Sequence, residues 1–182
     1  KVKNAQSVLL LEDYLEIEEI AITNKKSTKK IEIGNIKNVI SEAFDNGPKM
    51  DAKFFPYLPK YQSTRWIDAV TIFTDSRVEE GIIKLHIFEV DENGFPGKEL
   101  LTKDKIITLK RGVYKHTVDL TSLNLLMPKE GVFVAFEKLF VEKNRIERTT
   151  LDPHSKIERK KIVYFPFVLY NIIEKDYVYS YS

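Results

Sequence analysis

The chain has 182 residues, of which 43% are hydrophobic, 31% are charged and none is cysteine. Its length, divided by about 150 residues per domain, predicts one domain with an appendage. The 29 Lys and Arg and the 27 Asp and Glu leave a formal charge of +2. We therefore expect no nucleic-acid partner, because phosphate neutralisation needs a clear excess of cations. The absence of cysteine excludes a disulfide scaffold, thiolate metal sites and a cysteine nucleophile.

The start of the chain and its hydropathy bear on location. No apolar run approaches the roughly 18 residues that a membrane-spanning helix requires, so we expect no membrane insertion. The sequence begins with Lys1 rather than methionine, and no charged start leads into an apolar stretch with a small-residue cleavage site. We therefore expect a fragment of a longer chain, in preference to a processed protein.

A period of two dominates the apolar pattern. Leu15 and Ile17 alternate with Glu16 and Glu18 within residues 14–22, which is the pattern of a half-buried strand. Turn residues such as Pro96-Gly97 separate the later runs. Runs rich in β-branched and aromatic residues predict further strands at residues 66–74, 82–90, 105–109, 113–120, 132–140, 162–170 and 176–181.

Two polar stretches interrupt these strands. Residues 23–32 carry four lysines and predict a linker or exposed loop. In residues 142–161 acids and bases alternate, so we expect a long, mobile loop whose charges largely cancel. Residues 35–45 are the only segment in which we expect a short helix. Many short strands without alternating helices favour an all-β fold. We predict an antiparallel, jelly-roll-like β-sandwich over residues 50–182, and a strand with a linker over residues 1–49.

Three segments resemble a known family. Residues 82–101 read IIKLHIFEVDENGFPGKELL, and residues 118–139 read VDLTSLNLLMPKEGVFVAFEKL. This pair is similar to the C-terminal region of bacterial envelope proteins that begin with a carboxypeptidase-like regulatory domain. In that group a strand of the type x-R-x-H-I-Y precedes a G-x-P-G-x-x-L-L loop. Residues 8–20, VLLLEDYLEIEEI, resemble the last strands of the regulatory domain.

The resemblance covers about two thirds of the chain and contains no catalytic signature. It implies that residues 1–49 are the remnant of a preceding regulatory-like domain, that the setting is extracytoplasmic (periplasm, outer membrane or secreted), and that the sandwich is jelly-roll-like. Such regulatory domains are not peptidases, so no protease activity is implied. The chain departs from the family pattern at its C-terminus, where tyrosines stand in place of a tryptophan-containing end.

The three histidines, His86, His116 and His154, do not have the spacing of metal ligands. His86 shares a strand face with Lys84, opposite the apolar Ile83, Leu85 and Ile87, so we expect it to face solvent. For His116 we expect a partly buried, hydrogen-bonded side chain, and for His154 a turn residue. A metal site that combines Asp152 and His154 with a distant carboxylate is the alternative.

Glu137 is the carboxylate with the least polar surroundings. Its predicted strand face also carries Phe133 and Ala135, so its charge would be costly unless it is paired. Lys84 or Arg65 from a neighbouring strand would satisfy it. The alternative is a general acid in a glycan hydrolase, but no second carboxylate has a comparable setting. We therefore predict no catalytic residue and no enzyme.

The segment Asp91-Glu92-Asn93-Gly94 resembles the start of a calcium loop. The remaining spaced oxygen ligands are missing, which favours a turn. Jelly-roll modules often carry a structural calcium, and this analogy alone keeps Asp91 and Asn93 as candidate metal ligands. We expect no other cofactor.

The aromatic residues carry the functional prediction. Trp66 follows an aromatic-rich segment at residues 54–61, and Tyr177, Tyr179 and Tyr181 fall on one face of the final predicted strand. Aromatic rings stack on sugar faces, so these four side chains are the candidate ligand-binding residues; core packing is the alternative. We predict a non-catalytic binding or accessory module with a glycan or a surface protein as partner. A structural β-domain that mediates protein–protein contacts is the second hypothesis, and a glycan hydrolase is the third.

Overall fold

The computed structural model describes residues 30–34, 42–43, 50–151, 158–170 and 178–181, of which 42–43, 170 and 178–181 are described by backbone alone. Within these ranges the regular elements are β-strands and three short 3-10 turns. In chain order the strands are β1 (Glu42–Ala43), β2 (Met50–Phe55), β3 (Ala69–Ser76), β4 (Gly81–Val90), β5 (Pro96–Glu99), β6 (Lys105–Leu109), β7 (Gly112–Asp119), β8 (Val132–Lys138), β9 (Arg145–Leu151), β10 (Glu158–Tyr164), β11 (Phe167–Tyr170) and β12 (Val178–Tyr181).

The strands pair into two larger sheets and one ribbon. The first sheet has the order β1-β11-β3-β7, and the second has the order β12-β2-β8-β4-β5, with β6 also paired to β4. The ribbon consists of β9 and β10. Every pairing between these strands is antiparallel. The all-β, antiparallel sandwich prediction is therefore confirmed, and the jelly-roll connectivity stays a prediction.

The core lies between the two larger sheets. Ile83, Leu85 and Ile87 of β4 are fully buried, because the period of two places them on the same face of the six-stranded sheet. Val70 of β3 and Val118 of β7 pack in one cluster with Leu85 and Ile87. The residues of β4 that stand between these three therefore lie on the outer face of that sheet.

Several element boundaries differ from the sequence predictions. Strand β2 was not predicted, and Pro96–Glu99 pairs with β4 as β5 where a turn was expected. The predicted strand at residues 162–170 is divided between β10 and β11, because Pro166 cannot donate a hydrogen bond to a ladder. Of the predicted helix at residues 35–45, Glu42–Ala43 is strand β1 and the rest lies outside the described residues. The predicted strand at residues 14–22 also lies outside them.

The prediction of a mobile loop at residues 142–161 is wrong over most of its length. Arg145–Leu151 and Glu158–Tyr164 form an antiparallel ribbon, paired from Arg145 with Tyr164 to Leu151 with Glu158. Alternating charges masked the strand pattern, because both faces of an exposed ribbon carry polar residues and neither shows the usual apolar stripe.

Candidate functional site

A cavity of about 550 Å³ lies between the two larger sheets, and we call it the inter-sheet cavity. Inward-facing residues of β8 and β3, including Val134, Phe136 and Val70, form its apolar walls. Phe55 and Trp66 add aromatic surface to the same cavity. Its volume falls within the range of about 300–1,000 Å³ that small-molecule sites occupy.

Trp66 is held in place by the extended segment that contains it. It forms an isolated antiparallel bridge with Leu126, and the Ile67 amide donates to the Leu125 carbonyl at 2.9 Å. Arg65 donates from Nε and from one terminal nitrogen to the Met127 carbonyl oxygen, at 3.1 and 2.8 Å. The Met127 amide donates in turn to the Arg65 carbonyl at 2.9 Å. The backbone is therefore fixed on both sides of Trp66, and the structure places this predicted ligand-binding residue at the cavity on a constrained segment.

Charged residues border the inter-sheet cavity as well. Asp51 and Lys53 alternate with Ala52 along β2 and line the cavity. Arg65, which also lines it, lies with its guanidinium carbon 5.6 Å from the centre of the Tyr57 ring. The cavity therefore combines aromatic and aliphatic walls with cationic and anionic groups, which is the composition of a site that orients a polar ligand.

The predicted tyrosine stripe is only partly described. Tyr179 and Tyr181 belong to β12, where the register pairs them with Ala52 and Met50 of β2. Tyr177 lies outside the described residues. The structure thus places two of the three tyrosines beside β2, at positions that alternate with those paired to Asp51 and Lys53.

His86 is not the solvent-facing residue that the sequence predicts. Its side chain does point away from the core, as expected, but only 6% of the residue is exposed. Nδ1 lies 2.9 Å from Glu99 Oε1 and Nε2 lies 2.9 Å from Glu137 Oε2, and the ring stacks on Phe88 with centroids 5.6 Å apart. Ionised carboxylates only accept, so both contacts are hydrogen bonds when the ring carries protons on both nitrogens. The two glutamates that cover the His86 ring belong to the strands on either side of β4, because Glu99 is on β5 and Glu137 is on β8.

Glu137 is paired, as its strand face requires. Besides His86, the ammonium of Lys84 lies 4.0 Å from its carboxylate, whereas Arg65 binds elsewhere. A 2.9 Å contact between Lys84 and Asp104 extends the network. The pKa of Lys84 is raised, first by its hydrogen bond to Asp104 and then by the negative charges of Asp104, Glu137 and Glu99. The imidazole of His86 fills the space between Glu99 and Glu137, and these contacts connect strands β4, β5 and β8.

His116 is half-buried on β7, as predicted. Its Nε2 atom is buried and has no hydrogen-bond partner among the described residues, so the predicted hydrogen bond is missing at that atom. Burial lowers the pKa of His116, and the positive charge of Lys110 lowers it further. His154 and Asp152 lie outside the described residues, and the metal-site alternative built on them stays a prediction.

Asp91 acts as a turn residue. Its Oδ1 accepts hydrogen bonds from the amides of Asn93 and Phe95, at 2.9 and 2.8 Å, as the sequence favours. In the part of the chain that the structure describes, no group of three or more His, Asp or Glu side chains could hold a metal ion.

Comparison of the chain with protein-family models, with curated proteins and with solved structures found no match. Within the described residues, no helix is long and apolar enough to cross a membrane.

Proposed function

We propose that this chain is a non-catalytic ligand-binding module and that its ligand occupies the inter-sheet cavity. The observation that carries the proposal is the placement of Trp66 at a cavity of about 550 Å³ that charged side chains also line. An indole provides a flat apolar surface, and neighbouring charged groups can bind hydroxyls. This combination suits a carbohydrate, which presents an apolar ring face and a polar rim. The resemblance to envelope proteins supports an extracytoplasmic setting as part of the same proposal.

A glycan array probed with the full chain, followed by titration calorimetry of the hits, tests this function. Trp66→Ala is expected to weaken the best hit by about tenfold, since one aromatic stacking contact contributes about 0.5–1.5 kcal/mol beyond the buried area. Trp66→Phe should retain most of the affinity, because it keeps a ring. Phe95→Ala is the matched control, as Phe95 lies in the β4–β5 turn and is 53% exposed.

Two outcomes would refute the carbohydrate proposal. One is a silent array with correctly folded protein. The other is an affinity that Trp66→Ala leaves unchanged while thermal unfolding shows that the variant is folded. Hydrolysis of a hit that is lost in Glu137→Gln would instead support the glycan hydrolase hypothesis.

A second candidate function, protein–protein contact, is favoured by the outer face of the six-stranded sheet. Ala52, Phe133 and Ala135 form a separate buried cluster there, and Phe54 and Val90 are partly buried hydrophobic residues packed against it. The exposed parts of Phe54 and Val90, at the margin of this buried cluster, are the apolar surface that a partner would cover. Light scattering after size exclusion tests this candidate: a dimer that Val90→Lys converts into a monomer would support it, and a monomeric wild type would count against it.

A further inference from the structure

Arg65 is a cation of the inter-sheet cavity that has no acidic partner within the described part of the chain. The residue is partly buried and lines the cavity. Its guanidinium contacts the carbonyl oxygen of Met127 and the ring of Tyr57, and no described carboxylate forms an ion pair with it. A partly buried charge is stabilised when an anion pairs with it, so a bound anion would complete this arrangement.

Two other cations of the cavity do have acidic partners. The ammonium of Lys30 lies 3.7 Å from the carboxylate of Asp68. The ammonium of Lys115 lies 3.9 Å from the carboxylate of Glu32. All four of these residues line the cavity. Their charges offset each other in pairs, whereas the charge of Arg65 is available to a ligand.

The hydrogen bonds to Met127 occupy one edge of the Arg65 guanidinium. Nε and Nη2 donate to the same carbonyl oxygen, at 3.1 and 2.8 Å. A guanidinium has five N–H donors in a planar fork, so three N–H groups remain. Two of these, one on each terminal nitrogen, point side by side from the adjacent edge, which we call the free edge. This is the geometry that binds both oxygens of a carboxylate.

The free edge is held in a fixed position. The Met127 amide donates to the Arg65 carbonyl, so the backbone and the side chain of Arg65 both bind the same residue. Met127 is itself buried, with 4% exposed, and lines the cavity. The guanidinium carbon also lies 5.6 Å from the centre of the Tyr57 ring. A donor pair that is already ordered loses little entropy when a ligand binds.

We propose that the ligand of the inter-sheet cavity is an acidic sugar, such as a hexuronic acid, whose carboxylate binds the free edge of Arg65. This inference rests on the proposed function, because it names the class of carbohydrate that the same cavity takes. One unpaired cation matches one carboxylate. A sugar phosphate, with a charge near −2 at neutral pH, would need a second cation.

A fatty acid fits this cavity less well than an acidic sugar. It would also present a carboxylate to Arg65, but its alkyl chain has no group that hydrogen-bonds to the polar part of the lining. Asp51, Lys53 and Thr64 all line the cavity, and covering such groups with an alkyl chain is costly. Sugar hydroxyls both donate and accept, so they can bind these groups. The observations therefore favour the acidic sugar.

Titration calorimetry with matched pairs of sugars tests the proposal on the full chain. Short oligomers of galacturonate, glucuronate and mannuronate are each compared with their methyl esters, which are the same sugars without the charge. At least one acid is expected to bind about tenfold more tightly than its ester, the contribution of one hydrogen bond to a charged group.

Arg65→Gln should abolish the preference for the acid and leave the affinity for the ester unchanged, so that ester binding also shows that the variant is folded. Arg65→Lys keeps the charge but loses the planar fork, and should retain only part of the preference. Arg111→Gln is the matched control and should keep all of it, because Arg111 is exposed in the turn between β6 and β7 and does not line the cavity.

Several outcomes would overturn the proposal. It fails if no acid binds more tightly than its ester, or if Arg65→Gln and Arg111→Gln change the preference equally. It also fails if octanoate, a sugar phosphate or a sulfated sugar binds more tightly than every uronic acid. Should Arg65→Gln not fold, an undiminished preference in Arg65→Lys would contradict it. If esters and neutral glycans bind without any preference for acids, the proposed function stands and this inference alone fails.

Discussion

Asn144 is a buried polar residue whose side chain joins two strands of the six-stranded sheet. Its Oδ1 accepts from the Ile82 amide at 2.8 Å, and its Nδ2 donates to the carbonyls of Ile82 and Leu139, both at 2.8 Å. Ile82 belongs to β4, and Leu139 follows the end of β8. Asn144 is itself fully buried. The amide group therefore satisfies three backbone groups at the point where β8 ends.

Asn144→Ala removes all three hydrogen bonds and leaves three backbone groups without partners. At about 1 kcal/mol net for each bond, the expected loss in the free energy of unfolding is about 3 kcal/mol. For a domain of this size, 1 kcal/mol corresponds to roughly 2–4 °C, so the melting temperature should fall by about 6–12 °C. Urea unfolding and calorimetry on the purified variant measure both quantities.

The matched control is Asn93→Ala, the same substitution at an exposed turn residue. It should change the free energy of unfolding by no more than about 0.5 kcal/mol. If Asn144→Ala were as mild as Asn93→Ala, the three hydrogen bonds would not hold the β4–β8 junction together.

Two further predictions concern the histidines. His86→Ala should cost about 2 kcal/mol in urea unfolding, because it removes the buried imidazole that both Glu99 and Glu137 contact; a change below about 0.5 kcal/mol would restore the solvent-facing interpretation. Burial lowers the pKa of His116 from its usual 6.5. Below that pH the unfolded state binds more protons than the folded state, so protonation of His116 lowers the free energy of unfolding as the pH falls. His116→Leu should therefore stabilise the fold more at about pH 5.5 than at about pH 7.5. An equal effect at both values would contradict this account.

The sequence predicted the architecture where its signal is local. Alternation along β4 identified Ile83, Leu85 and Ile87 as core residues, and the Asp91 turn followed from its residue types. Each of these features depends on residues within a few positions of one another. The all-β class could therefore be predicted without any knowledge of strand pairing.

Features that depend on register could not be predicted in the same way. The burial of His86 results from Glu99 and Glu137, which are 13 and 51 residues away in the chain. Likewise, the charges of residues 145–164 separate by face only once Arg148 is paired with Lys161. A sequence signal for that ribbon was present, because Asp152, Pro153 and Ser155 are residue types that favour turns and they stand between two segments with β-branched residues. The charge alternation obscured this signal.

The inter-sheet cavity is the least local feature. Phe55, Trp66 and Val134 reach it from β2, from the loop before β3 and from β8. The sequence singled out Trp66 by residue type, but not the partners that surround it.

Chemical-shift mapping of the isotopically labelled full chain with the best neutral glycan from the array tests the central claim most directly. The account predicts that the amides of Phe55, Trp66 and Val70 shift together as the glycan is added, since all three line the inter-sheet cavity. Shifts confined to the outer face of the six-stranded sheet, at Phe88 and Val90, would contradict a ligand site between the sheets.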